Sequence, residues 1–455
     1  MILKEDIDLF ERFTNIVEKY IVQEYASTVP TRKILKILLA VSGGVDSIVM
    51  LDLFDRLTNL KSSSDLESVI YIGVATFNHR LRKEADEEVQ FVREICRLRD
   101  IPFYTESGDV MGFAQENKYS VEESARVLRY AFLNKIAQEN QYDYISTAHN
   151  ANDLLETVLL RLSKGTGPFG LAGIKPISNQ YFRPLLFFTR EEIEKYAESR
   201  NLGYAIDKSN FDVKYQRNFI RHEIVPLLKK INPSVEKAVL NLSESIWKLD
   251  DYLSNILKSN ENVVYFDDRL IFRLVDNKYL QTEQVRRMAL EFFRKPLDKE
   301  KLERFEKCKS ESFKVSFWNG LGIEVSLGWA MMGRINDYPQ KCIRIDLNQK
   351  NLEGTSQEYE FNRYFIKLDF HGIMSSRIER DLEIRNWIEG DRLSNGKKVK
   401  VLFNNRKVPT FLRRLMPLVT FDGKVVFIPY LYEDKRMLES IDIGVQVKGG
   451  LCSES

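Results

Sequence analysis

Apolar and polar positions alternate along this chain in two registers. Residues 34–41, ILKILLAV, are apolar almost without a break, as a strand buried on both faces should be. After a Gly-Gly pair, Ile48, Leu51, Phe54 and Leu57 recur at helical spacing. The same alternation repeats. VIYIGVATFNH (69–79) reads as a second strand, residues 86–98 as a helix and IPFYTES (101–107) as a third strand. Ser120-Val-Glu-Glu123 has the form of a capping box and opens a helix with Ala125, Leu128, Phe132 and Ile136 on one face. YDYISTAHN (142–150) is a fourth strand, followed by the helical NDLLETVLLRL. Strands separated by helical crossovers predict an α/β, doubly wound parallel sheet. Ligands bind such sheets beyond the carboxyl ends of the strands. The loops after Val41, Phe77 and Ala148 are therefore expected to share one crevice.

Further on, Thr189-Arg-Glu-Glu192 starts another helix, which Gly203 is expected to end. Residues 214–230 read as a basic helix broken at Pro226, and Asn232-Pro233 as a boundary. Residues 234–310 are mostly helical by pattern, and from about 345 short β-like runs take over. The expected division is a catalytic domain over 1–230, a mostly helical domain over 231–344 and a small basic α+β domain over 345–455. Three domains suit 455 residues at roughly 150 each.

Composition removes several classes. Four cysteines, Cys96, Cys308, Cys342 and Cys452, form no CxxC pair, which argues against a disulfide framework, a zinc ribbon or a persulfide relay. The opening MILKEDIDLFERF lacks an apolar h-region, and no apolar run approaches the ~20 residues of a membrane span. A cytoplasmic protein with no membrane partner is expected. Net charge is only +2, so a polyanion must be met by a local patch. Residues 392–414 provide one: eight Lys/Arg, no acid, with Phe403 and Phe411 interleaved for stacking. Lys397, Lys398, Lys400, Arg406, Lys407, Arg413 and Arg414 are the candidate RNA contacts, against a plain basic surface hairpin.

A strand, a tight glycine loop and a helix make an anion site, because free N–H groups at the helix start point at the charge. The loop here is Ser42-Gly43-Gly44-Val45-Asp46-Ser47. It has no Walker lysine and is not GxGxxG. Asp46 either holds Mg²⁺ against phosphates or bonds the N–H groups of its own turn. Asp153 and Glu156 share one helix face with Thr157 and offer fixed negative charge, or merely complement the helix dipole. His79 and His149 each follow a strand end, where a structural role competes with positioning of substrate. Arg126 and Arg129 share a helix face, as do Arg217 and Arg221 with Lys214 nearby; each set is solvated surface or binds phosphate.

SGGVDS resembles the PP-loop of the N-type ATP pyrophosphatases. FNHRLRKEADEE (77–88, with Arg80 and Arg82), VEESARVLRYAFL (121–133), TAHNANDLLETVLLRLSKGTGPFGLAGI (147–174) and DKSNFDVKYQRNFIRHEIVPLLKKINP (207–233) resemble, in order, segments of the tRNA(Ile)-lysidine synthetases. WIEGDRL (387–393) resembles the last domain of that family. The resemblance implies that ATP activates the C2 oxygen of the wobble cytidine in a CAU-anticodon isoleucine tRNA. Free L-lysine then replaces that oxygen, releasing AMP after pyrophosphate. It implies ATP and Mg²⁺ as cofactors, Ser42–Ser47 around the pyrophosphate, Asp46 and Asp153 toward metal, and Asp153, Glu156, Arg126 and His149 in catalysis. Arg217 and Arg221 fall to tRNA, and the family allows a monomer or homodimer. The family motif HHxDDQxET reads His149-Asn150-Ala151-Asn152-Asp153-Leu154-Leu155-Glu156-Thr157 here, so one carboxylate of the pair is absent at Asn152. Rival expectations are another PP-loop tRNA modifier such as a thiolase, a small-molecule amidating synthetase, or an RNA-binding protein with an inactive loop.

Overall fold

The computed structural model describes residues 2–23, 34–61, 69–80, 85–205, 216–259, 263–266, 268–308, 310–347, 354–371, 381–438 and 441–447. Arg82, Lys214 and the Asp207–Asn210 stretch, all singled out above, lie outside them. The chain divides into two compact units, 1–252 and 253–455.

The first unit is built on β1 (Ile34–Ala40), β2 (Val69–Asn78), β3 (Phe103–Ser107), β4 (Tyr144–Thr147), β5 (Ile177–Ser178) and β6 (Tyr181–Phe182), ordered β3-β2-β1-β4-β6-β5. Every pair is parallel except β5 with β6. Strand order reverses at β1, with β2 on one side and β4 on the other. This switch point is where a doubly wound sheet opens its crevice. Leu35, Ile37 and Leu39 face one core with Phe54 of α2 (Val45–Lys61) and Phe13 of α1 (Ile2–Val17). Leu38 and Ile145 face a second core with Phe132 and Leu133 of α5 (Val121–Glu139), an arrangement that explains the unbroken apolar run of β1. Between α2 and α5 come α3 (Ala85–Leu98) and α4 (Val110–Asn117). At Gly73 of β2 any Cβ would collide with the Tyr142 hydroxyl, so only glycine fits.

Two local expectations change. Helix α7 (Arg190–Ser199) ends before Gly203, and Asn201 takes the left-handed conformation at φ +52° that the glycine was expected to supply. The basic helix is not broken at Pro226. It runs as α8 (Gln216–Phe219), a wide turn (Ile220–Ile224) and α9 (Val225–Ile231), with Pro226 in the first turn of α9. The Val225 amide closes the wide turn on the Ile220 carbonyl, five residues back. Ser120 does cap α5 by accepting from the Glu123 amide. Helix α6 (Ala151–Lys164) follows β4, and α10 (Val235–Ser259) closes the unit, its Trp247 indole donating to the Ala172 carbonyl at 2.8 Å.

In the second unit the helices α11 (Lys278–Phe293) and α12 (Lys299–Lys307) pack on a five-stranded antiparallel sheet of β7 (Val263–Phe266), β8 (Arg269–Arg273), β9 (Ser312–Trp318), β10 (Leu321–Ser326) and β11 (Trp329–Arg334), ordered β7-β8-β11-β10-β9. Helical pattern alone did not announce that sheet, because its strands are only 4–7 residues long. A second core gathers two more antiparallel sheets around Phe361, Ile366, Ile384 and Val419. Residues 399–415 are not a hairpin but two short helices, α13 (Val399–Asn405) and α14 (Thr410–Leu415). Among the described residues no helix is long and apolar enough to cross a membrane.

Candidate functional site

The loop after β1 turns sharply because Gly43 sits at φ +92°, a conformation that side chains rarely adopt. Ser47 closes it. Its hydroxyl donates to the Gly44 carbonyl at 2.8 Å and accepts from the Ser42 amide at 3.2 Å. Ser42 is exposed at the rim, while Val45 and Ser47 are buried. Helix α2 starts directly at Val45, so its free N–H groups face the mouth of the loop.

Asp46 bonds none of its own turn. One carboxylate oxygen accepts from the Asn150 amide at 3.0 Å, and the other accepts from Arg190. Burial pushes its carboxyl up to about 6, against the pull of Arg190 and the Asn150 hydrogen bond. Asn150 is the N-cap of α6: its Oδ1 accepts from the amides of Asn152 and Asp153, and Asp153 returns the bond to the Asn150 amide. One asparagine thus fastens the loop after β1 to the acidic start of the helix after β4, across the switch point. The loop after β2 joins the same end of the sheet, with Thr76 donating to the Val41 carbonyl at 2.8 Å.

Asn152 joins two other elements. Its amide donates to Glu236 of α10 at 3.1 Å, and its oxygen accepts the Arg190 amide at 2.9 Å. Glu236 is 2% exposed and paired with Lys229. A carboxylate at 152 would confront a buried carboxylate, which accounts for the asparagine.

Glu156 is also 2% exposed, and Arg221 grips it with bonds of 2.6 and 3.0 Å. Arg217 adds a 3.4 Å contact and donates to Thr157 at 3.0 Å. Glu156 is thereby paired with two arginines. Burial raises its carboxyl even against Arg221, and both its oxygens are spoken for. Arg217 and Arg221 are correspondingly tied to α6, though each keeps more than a third of its side chain exposed.

His149 hydrogen-bonds Thr147 through Nδ1 at 2.9 Å. Desolvation, reinforced by Arg183, Arg129 and Arg217 and opposed by Asp153, lowers it to about 4, so it is neutral at pH 7. Arg126 is exposed and Arg129 half-buried, both guanidinium groups over the Tyr130 ring at 5.4 and 5.6 Å. His79 packs edge-on to Phe77 at 5.0 Å, and Arg80 takes φ +51°.

Among the described residues no group of three or more His, Cys, Asp or Glu could hold a metal ion. Asp46 and Asp153 are within electrostatic reach of each other. Two carboxylates beside a phosphate loop fit Mg²⁺, which takes one or two carboxylates and fills its shell with phosphate and water.

In the second unit Lys397, Lys398, Lys400, Arg406, Lys407 and Arg414 are exposed. Phe403 and Phe411 are fully buried and unavailable for stacking, and Arg413 turns inward to donate to the Val408 carbonyl at 2.9 Å. Helical spacing explains the error: in two short helices these three form the inner face.

Asn150, Arg190, Glu236 and Arg183 escaped sequence reasoning. Arg190 carried a usable signal. A cation in the first turn of a helix opposes the dipole and asks for a partner.

The family profile described as PP-loop domain matches residues 14–228, and that described as TilS substrate C-terminal domain matches 382–441. Over 98% of its length this chain is 40% identical to the tRNA(Ile)-lysidine synthase of Thermosipho africanus, covering 99% of that protein. It is 35% identical to the synthase of a Thermotoga species over 92% of this chain and 98% of the relative. With that of Clostridium acetobutylicum it shares 29% identity, over 86% and 90% of the two chains.

Proposed function

The chain belongs to the tRNA(Ile)-lysidine synthase family, and from that premise we propose how its residues perform the reaction. It is an ATP-using, tRNA-modifying ligase. The substrate is the wobble cytidine of a CAU-anticodon isoleucine tRNA, and the amine is free L-lysine. The C2 carbonyl oxygen of the cytidine attacks the α-phosphorus of ATP and pyrophosphate leaves. The ε-amine of lysine then attacks C2, loses its protons, and AMP departs with the oxygen.

The observation that carries this reading is the Asn150–Asp46 hydrogen bond. It ties the phosphate loop to the Asp153 carboxylate, so the leaving phosphates and an incoming ammonium can share one crevice. Ser42, Ser47 and the amides of Gly43, Gly44 and Val45 hold the pyrophosphate. Asp46 and Asp153 would hold Mg²⁺, which when bound neutralises phosphate charge. Asp153 also attracts the lysine ammonium. Neutral His149 orients the nucleotide without adding charge, and Arg126 binds substrate phosphate. Glu156 is a positioning residue acting through Arg221 and Arg217, which face the tRNA. Lys397, Lys398, Lys400, Arg406, Lys407 and Arg414 bind RNA backbone. A catalytic domain over 1–230, a recognition domain over 231–344 and a basic domain over 345–455 remain our functional division. Cytoplasmic residence fits the substrates and the free thiols of Cys96, Cys308 and Cys342.

The test is AMP release from labelled ATP with purified protein. CAU-anticodon isoleucine tRNA is compared with methionine tRNAs, with and without lysine, and nucleoside mass is read after digestion. AMP together with a cytidine heavier by lysine minus water, on the isoleucine tRNA alone, is expected. A different added mass would sink the substrate assignment, and no AMP with any acceptor would leave only an RNA-binding protein.

A further inference from the structure

Apart from the phosphate loop, the first unit carries a set of cations with no acidic partner among the described residues. Arg183 follows β6 and is 9% exposed. Its guanidinium donates to the Lys175 carbonyl at 3.0 Å and to Tyr130, while its Nε makes no hydrogen bond. The guanidinium groups of Arg126 and Arg129 lie over the Tyr130 ring, and Tyr181 packs on Tyr130 at 4.9 Å between centroids. Tyr130 is thus the hub that gathers three guanidinium groups. Among the described residues no carboxylate pairs with any of the three.

Such an arrangement is unfavourable by itself. A cation taken out of water normally brings its counter-ion with it. Burial accordingly pulls both Arg183 and Arg129 below the usual arginine range. Removing an unpaired buried charge should help the fold, so its retention points to a ligand. Position narrows that ligand. The phosphate loop follows β1, whereas Arg183 follows β6 on the other side of β4, and neutral His149 lies within electrostatic reach of Asp153, Arg183 and Arg129. The departing pyrophosphate is therefore accounted for elsewhere. Three forked cations suit a phosphodiester, and the paired Tyr130 and Tyr181 rings offer a face for a base.

Resting on the ligase reading above, we propose that Arg183, Arg129 and Arg126 around Tyr130 form a second oxyanion socket, which seats a backbone phosphate of the tRNA beside the reacting cytidine. The socket holds the single strand at the anticodon and so sets the position of the base between the phosphate loop and Asp153.

The experiment uses the full chain. Binding of fluorescent CAU-anticodon isoleucine tRNA is titrated at several salt concentrations for wild type, Arg183→Met, Arg129→Met and Arg183→Lys, alongside KM for ATP and lysine and the melting temperature of each. Each methionine variant should bind tRNA about tenfold or more weakly. Each should also flatten the log–log salt slope by ~0.7, the increment for one phosphate neutralised on a single strand. Arg183→Lys should keep the slope but lose affinity, because the charge stays and the fork goes. Melting temperature should hold or rise in Arg183→Met. Unchanged tRNA affinity and slope in both methionine variants overturns the socket, as does a rise confined to KM for lysine, which would assign the cations to its carboxylate. A large fall in melting temperature for both, with the slope retained, overturns it in favour of a structural role. Wild-type protein that forms no AMP at all would instead fail the ligase reading, whatever the variants do.

Discussion

Asp46 and His149 titrate in opposite directions across one pH window. Asp46 is raised from its usual value to about 6, so the folded state binds its proton more tightly than the unfolded state. Its contribution is full below about 4 and is lost as pH rises to about 6. His149 is lowered to about 4, so the unfolded state holds the extra proton, and stability is lost as pH falls from about 6.5 toward 4. The two nearly cancel in the wild type. Each replacement exposes the other: relative to wild type, Asp46→Asn should lose and His149→Gln should gain stability on acidification from pH 6.5 to 4.5. The size is of order 2–3 kcal/mol, measurable by urea unfolding at each pH. Parallel curves for all three proteins would refute the assignment. Glu156→Gln should destabilise by about 2 kcal/mol, below the ~3–5 of a fully buried pair because Arg221 and Arg217 are partly solvated. The double variant Glu156→Gln/Arg221→Met should cost less than the sum of its parts, since each single change already breaks the pair. Strict additivity would remove Glu156 as the anchor of that arginine.

At the scale of elements, α6 is positioned by its cap and by α10. Asn152 was the conspicuous departure in the acidic motif, and on sequence alone it weakened the metal reading. In the fold it serves a different contact, the amide bond to Glu236. Asn152→Asp should therefore destabilise by about 1–2 kcal/mol through like-charge repulsion, without increasing ATP turnover. Adding Glu236→Gln should restore most of the loss. If Asn152→Asp instead raises the affinity for Mg²⁺-ATP at unchanged stability, the side chain faces the phosphates and the coupling to α10 is wrong. The sequence showed the helices α2, α5, α6 and α7 through period and cap. It could not show that Arg190 reaches Asp46 or that Arg183 meets Tyr130, because those pairs lie far apart in the chain and carry no spacing rule.

For the whole molecule, a net charge of +2 means that affinity for a polyanion must come from patches. Six exposed cations between Lys397 and Arg414 form one of them. Replacing Lys397, Lys398, Arg406 and Lys407 together by Ala should flatten the salt slope of tRNA binding by ~0.7–0.9 for each phosphate that is no longer neutralised. Arg413→Ala should lower the melting temperature instead and leave the slope alone, because Arg413 supports the inner face of α13 and α14. An equal slope change from Arg413→Ala would place it back on the RNA surface.

The sequence by itself determined the parallel sheet, the phosphate loop after β1, the acidic helix after β4 and the family to which they belong. These are local properties: periodicity of two or 3.6, glycine where φ must be positive, and capping residues at fixed offsets. Tertiary structure decided which charges meet. It turned Glu156 toward Arg221, Asn152 toward Glu236, and Phe403, Phe411 and Arg413 into the core, and it gathered three arginines on one tyrosine. Burial and pairing depend on distance in space, and a one-dimensional pattern contains the donors and the acceptors but not the few ångströms between them.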